Sequence, residues 1–259
     1  NYQDGVVTGF LQGEDVSIER VKEVANDQLI QIRMNFTWKV FSKCFRPQSV
    51  YPTDLSNLVT WFRADSGLTF SIPTKRVSAW ADYSGNNNGI AQSDKTKQAL
   101  RYTYDGANDK TRIAFNGTTD YFISDANCPI TRDFTMFVVA QVKDDALENG
   151  DYFSFVNGQK LITLGGSDTS NYHIAVAHFH NKNLHLEFNN TLSSHINEGS
   201  FDNSTTFNDA TYNMGYKLTE DATHYLDGNI QEFIIYNHEL DDYKISQIKS
   251  YLNKKYNIY

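Results

Sequence analysis

The sequence predicts a mainly β protein, a sandwich or barrel of short strands that ends in a C-terminal helix and is preceded by a helix-containing N-terminal segment. Three observations lead there. Short apolar runs of strand length recur between turns rich in Gly and Asn. Aromatic residues make up 14% of the chain, a load that suits pleated surfaces better than a helical bundle. The last strand-like run, Ile230 to Tyr236, gives way at once to a stretch whose apolar residues recur at helical spacing.

Taken in order, Asp15 or Ser17 caps a first helix in which Ile18, Val21, Val24, Ala25, Leu29 and Ile32 form one apolar stripe. Asn35 to Phe45 then alternates large apolar with polar residues, as a half-buried strand does. Two of the four prolines, Pro47 and Pro52, mark a boundary. This leaves residues 1–50 as an attachment segment and residues 51–259 as the sandwich. Within the sandwich, strands are expected at 58–62, 77–80, 112–115, 134–142, 152–155, 161–164, 173–180, 184–188 and 230–236. The turns between them, such as 84–89, Asn116-Gly117 and Asn157-Gly158, use residues that tolerate positive φ. In the last segment Asp241 or Asp242 caps the helix, and Ile245, Ile248, Tyr251 and Leu252 share one side of it. Lys244, Lys249, Lys254 and Lys255 take the other sides and the end.

Composition excludes several classes. A formal net charge of -8 on 259 residues leaves no basic face able to neutralise a run of phosphates, which speaks against nucleic acid. No apolar run reaches the roughly 18 to 20 residues that cross a bilayer, so no membrane insertion is expected. Cys44 and Cys128 are too few for a disulfide scaffold.

A more specific pattern runs from Pro52 onward. Pro52, Asp54, Leu55, Leu58, Trp61 and Ala64 are followed by Val77-Ser78-Ala79-Trp80-Ala81-Asp82 and Ser84-Gly85-Asn86-Asn87-Asn88. Ile113, Phe115-Asn116-Gly117-Thr118, Asp120-Tyr121-Phe122, the run 134–140 and finally 226–258 come after in order. This succession resembles the concanavalin A-like, laminin G-like jelly-roll modules of bacteria and their phages. The resemblance covers about residues 52–258. It implies a two-sheet antiparallel jelly-roll sandwich that serves glycan recognition or adhesion on a virion surface or another extracellular assembly, with a cell-surface glycan as partner and residues 1–50 joining a larger structure. Residues 1–50 have no counterpart in the pattern, and fold does not by itself give function.

Candidate residues fall in two groups. Asp82, Asn86, Asn88 and Asp120 carry oxygens suited to Ca²⁺, which takes six to eight of them from a flexible loop. The same residues beside Gly also suit tight turns, with their side chains bonded to local backbone, and both readings stand. The second group lies around 172–188. A hairpin whose two-residue loop is Asn181-Lys182 or Lys182-Asn183 keeps Ala175, Ala177 and Phe179 with Leu184, Leu186 and Phe188. It also gathers His178, His180, His185 and Glu187 on the opposite face. Those imidazoles could bind a metal, hydrogen-bond a sugar or meet water. With Tyr172, Asn181, Asn183 and Tyr212 they make up the expected ligand-binding set.

No Glu-x-Asp-x-x-Glu strand, Gly-x-Ser-x-Gly elbow, Walker loop or His-Glu-x-x-His helix occurs, so no catalysis is expected. Two functional readings follow, a lectin-like binding module and a purely structural surface component. They are compatible.

Overall fold

The computed structural model describes residues 2–3, 6–7, 50–105, 107–124, 130, 133–143, 153–157, 160–163, 171–180, 183–189, 191–192, 211–218 and 223–259. The chain divides into two compact units, Asn1–Gln48 and Ser49–Tyr259. In the first, β1 (Tyr2–Gln3) pairs antiparallel with β2 (Val6–Val7). The helix and strand expected between residues 15 and 45 lie outside the described residues, as do both cysteines.

The second unit contains β3 (Leu58–Arg63), β4 (Leu68–Phe70), β5 (Val77–Trp80), β6 (Ile90–Ala91), β7 (Leu100–Tyr102), β8 (Arg112–Asn116), β9 (Phe122–Ser124) and β10 (Phe134–Val142). These are followed by β11 (Phe153–Asn157), β12 (Lys160–Thr163), β13 (His173–His180), β14 (Asn183–Phe188), β15 (Thr191–Leu192) and β16 (Thr211–Met214). A small hairpin of β17 (Tyr216–Leu218) and β18 (Thr223–Tyr225) leads into β19 (Asp227–Tyr236), and helix α1 (Asp242–Tyr256) closes the chain. One sheet runs β15-β14-β13-β10-β19-β8-β7, with β3 also on β19. The other runs β12-β11-β16-β9-β6-β5-β4. Every pairing is antiparallel, as in a two-sheet sandwich.

β19 organises the first sheet. Its whole length pairs with β10, while on the other side its first half meets β8 and its second half meets β3. A register shift opposite Val139 and Ala140 leaves Gln231 unmatched. The extra residue lets both Ile230 and Phe233 face the inter-sheet core, and Glu232 turns to the outside of the sheet. The inter-sheet core also buries Phe62, Trp80, Phe115, Phe122, Phe134, Met136, Val138, Ala175, Ala177 and Tyr212. Trp80 is fully buried, and its indole N–H donates to the Arg63 carbonyl at 3.0 Å.

A second core lies on the outer face of the first sheet, where Ile245, Ile248, Leu252 and Tyr256 of α1 pack on Trp61, Phe137, Val139, Ile174, Val176, Ile234 and Tyr236. Burying each large apolar side chain contributes about 1.5–3 kcal/mol, which holds the helix to the sheet. Asp241 caps α1 by accepting from the Lys244 N–H at 2.8 Å, and Asn257 ends it in the left-handed conformation. The fully buried carboxylate of Glu232 ties the end of the helix down. It accepts from Trp61 Nε1 at 2.7 Å, Tyr251 Oη at 2.8 Å, Tyr256 Oη at 2.7 Å and Lys255 Nζ at 2.7 Å. Lys255 also reaches Asp65 at 3.1 Å. The expected distribution of lysines is therefore corrected: Lys249, bonded to Glu187, and Lys255 point toward the sheet rather than to water.

Candidate functional site

Among the described residues, the outer face of the second sheet is open at its β4–β5–β6 end. Cross-strand partners Thr69, Ala79, Ala91, Ile123 and Asn213 stand in one row over β4, β5, β6, β9 and β16. Because side chains alternate along a strand, this row points away from the core that their neighbours Trp80, Ile90, Phe122 and Met214 fill. At the β4–β5–β6 end the row is made of small residues. A depression of about 220 Å³ opens there, lined by Gly67, Thr69, Ala79, Ala81, Asn87, Gly89 and Ala91, with Trp80 and Ile90 beneath. None of these residues is ionisable.

Each wall has a local cause. Gly67 has φ +74, and a Cβ there would sit 2.7 Å from the Tyr83 ring, so Tyr83 lies against Gly67 at the rim and is 41% exposed. The loop 82–89 forms another wall, pinned by Asp82. Its carboxylate accepts from the backbone N–H of Trp61 and of Ser84, both at 2.8 Å, from Asn88 N–H at 3.0 Å and from Ser84 Oγ at 2.6 Å. Asn86 and Asn88 donate their side-chain amides to the carbonyls of Leu58 and Val59. Next to the depression, Ile123 is 37% exposed. Tyr121, two residues before it, stacks on Tyr216 at 5.0 Å, and Tyr225 lies 5.1 Å from Tyr216. The depression thus joins an apolar, uncharged floor to the Tyr83 ring at its rim, a combination that can receive the C–H face of a sugar ring.

The sequence-derived sites map differently. Asp82, Asn86 and Asn88 do come together, with the Asp82 carboxylate and the side-chain N–H groups of both asparagines bonded to β3 and to their own loop. Asp120 belongs to a separate turn, buried beside Thr119 and Asn116. Burial pushes its carboxyl up to about 6 against weaker opposing pulls from the Thr119 hydroxyl and Arg76. Among the described residues no group of three or more His, Cys, Asp or Glu side chains gathers.

The hairpin register holds with the loop Asn181-Lys182, pairing His178 with His185 and Val176 with Glu187. The face bearing His178 is not a free surface, because α1 packs on Ile174 and Val176 and Lys249 engages Glu187. His178 Nδ1 lies 3.7 Å from the Glu239 carboxylate. Tyr172 is half-buried, and burial pushes its phenol up to about 12. Tyr212 is corrected to a core residue: it is fully buried, and its hydroxyl donates to the Asn88 carbonyl at the back of the loop wall. Asn181 lies outside the described residues, as do the side chains of His180, Asn183 and His185. Sequence reasoning missed the depression because β4 and β6 are too short to show alternation. Gly67 and Gly89 on either side of Trp80 were the available signal.

The two sheets and their pairing define a two-sheet antiparallel β-sandwich. Solved structures of similar fold include the sialidase of Trypanosoma rangeli in complex with sialic acid. It matches at a TM-score of 0.53 and 11% identity over 89% of this chain and 39% of that one. They also include domain 4 of AbnA, an extracellular arabinanase of Geobacillus stearothermophilus, in complex with arabinotriose. The match has a TM-score of 0.51 and 13% identity, over 75% of this chain and 97% of that one. The chain spans about two fifths of the length of the sialidase. At these identities the likeness is one of fold. No family model matches the chain, and no curated protein matches it in sequence.

Proposed function

We propose that the sandwich is a carbohydrate-binding module that holds a glycan on the outer face of its second sheet and leaves it uncleaved. The module is displayed on a virion or cell surface and joined to a larger assembly through residues 1–50. One observation carries the reading: the open depression over Thr69, Ala79 and Ala91, bordered by Tyr83 and free of ionisable side chains. A hydrolase needs a carboxylic acid and a second carboxylate across the bond it breaks, whereas a site that only binds needs flat apolar area and a few amides. The domain of AbnA, whose structure holds arabinotriose, has a comparable fold and supports the reading.

Titration calorimetry against a panel of neutral oligosaccharides, arabinotriose among them, tests it. At least one sugar should bind. Ala91→Trp, which fills the depression from a half-buried strand position, should remove that binding, and Tyr83→Ala should weaken it about tenfold, or ~1.4 kcal/mol. The reading fails if no sugar binds, if Ala91→Trp binds as well as the parent, or if a bound sugar is hydrolysed.

A further inference from the structure

Although the chain is acidic overall, one edge of the sandwich is basic. The turn between β4 and β5 and the neighbouring strand β7 close the two sheets against each other: Arg101 N–H donates to the Lys75 carbonyl at 2.8 Å, and Val77 N–H donates to that of Ala99 at 2.9 Å. This brings Lys75, Arg76 and Arg101 to one place. Arg76 is used internally, its guanidinium donating to the Gln98 carbonyl at 2.6 Å. Arg112, close by, is neutralised by Asp105 at 2.6 Å. Lys75 and Arg101 meet no acid among the described residues.

Each of these two cations rests on a ring instead. Lys75 Nζ lies 5.1 Å from the centroid of Tyr102, whose ring also carries Arg112 at 4.4 Å, and the Arg101 guanidinium lies 4.6 Å from the centroid of Phe70. A cation held over an aromatic face is positioned without its charge being cancelled, so its N–H donors remain available. Lys75 is further fixed by a left-handed backbone, with φ 59. β4 carries Thr69 on its outer side, in the lining of the depression, and Phe70 on its core side, so the cations and the depression share this edge strand.

We propose that the Lys75–Arg101 edge binds carboxylates of an acidic glycan, a proposal that rests on the carbohydrate-binding reading and adds charge to the ligand. Two available cations in a chain of net charge -8 suit a ligand with spaced single charges. A nucleic acid, with its dense row of phosphates, requires more neutralising groups and meets general repulsion.

The test uses the full chain and two forms of one sugar chain, oligogalacturonate and its fully methyl-esterified, neutral counterpart, followed by calorimetry. The acidic form should bind about tenfold tighter at about 20 mM NaCl, and the preference should shrink at about 300 mM as screening sets in. Lys75→Asn with Arg101→Gln should erase the preference while leaving the affinity for the neutral form and the melting temperature unchanged. Asn tolerates the left-handed backbone at position 75, so Lys75→Asn alone, which should at least halve the preference, covers the case in which the pair fails to fold. Equal affinity for the two forms overturns this inference and leaves the carbohydrate-binding reading intact. So does a preference that survives in the variants, or a single-stranded oligonucleotide of equal charge that binds as tightly. Absence of binding by any sugar, charged or neutral, overturns both.

Discussion

Replacing Glu232 by Leu should unlatch the C-terminal helix. The wild-type carboxylate is fully buried and accepts from four donors, two tyrosine hydroxyls, an indole N–H and the Lys255 ammonium. Leu fills the space but leaves Lys255 with Asp65 alone at 3.1 Å, on a side chain only 15% exposed. Removing one partner of a buried ion pair costs about 3–5 kcal/mol, and Asp65, itself 30% exposed, compensates Lys255 only in part, which places the loss near the lower end. The stranded tyrosine and indole donors add to the penalty unless water reaches them. For a sandwich of this size the loss should lower the melting temperature by roughly 10 °C. Urea unfolding followed by circular dichroism gives the free energy directly. Removing both charges in Glu232→Leu with Lys255→Met should recover a substantial part of the loss, since only the unpaired charge is so costly. A Glu232→Leu loss below about 1 kcal/mol, or a double variant as unstable as the single, would refute the reasoning.

Three more predictions concern the fold around the site. Asp120 is pushed up to about 6 by burial, so the folded state holds its proton more tightly than the unfolded chain does. Its ionisation therefore erodes stability as pH rises from about 4 to above 6, by at most ~3 kcal/mol. Asp120→Asn should flatten that slope, with the gain over wild type appearing above pH 6 and vanishing near pH 4 in urea titrations. Asp82→Ala strands the N–H groups of Trp61, Ser84 and Asn88 and should cost about 3 kcal/mol, with faster hydrogen exchange at the Trp61 amide. Gly228→Ala would drive a Cβ into the Gln141 carbonyl oxygen on β10. It should destabilise by more than about 2 kcal/mol in the same assay, where Gly85→Ala, at a turn with open space but positive φ, loses only about 1.

Much of the sandwich was legible in the sequence for a simple reason. β5, β10 and β13 occupy the expected spans, because runs such as Phe134–Val142 are too apolar to sit anywhere but between two layers. β4, β6 and β9, of two or three residues each, exist only because neighbours pair with them, and no local pattern announces them. The same asymmetry explains the site. Alternation in 173–188 identified which side chains share a face, but not that α1 covers that face, since the covering helix lies more than fifty residues further on. Tyr212 looked like a loop aromatic amid polar residues. Pairing with Phe155 and Ser124's hydroxyl bond to its N–H turn it inward. Glu232 and Lys255 each follow a simple pattern, strand and helix respectively. Their meeting depends on the bulge at Gln231, which has no sequence signature.

The central claim, that the outer face of the second sheet is where a glycan lies, is tested most directly by amide chemical-shift mapping while a neutral oligosaccharide found to bind is titrated in. The account predicts perturbations grouped at Gly67, Thr69, Ala79, Asn87, Gly89 and Ala91, with Tyr83 and Ile123 at their margin. Perturbations gathered instead on 173–189 and α1 would contradict it.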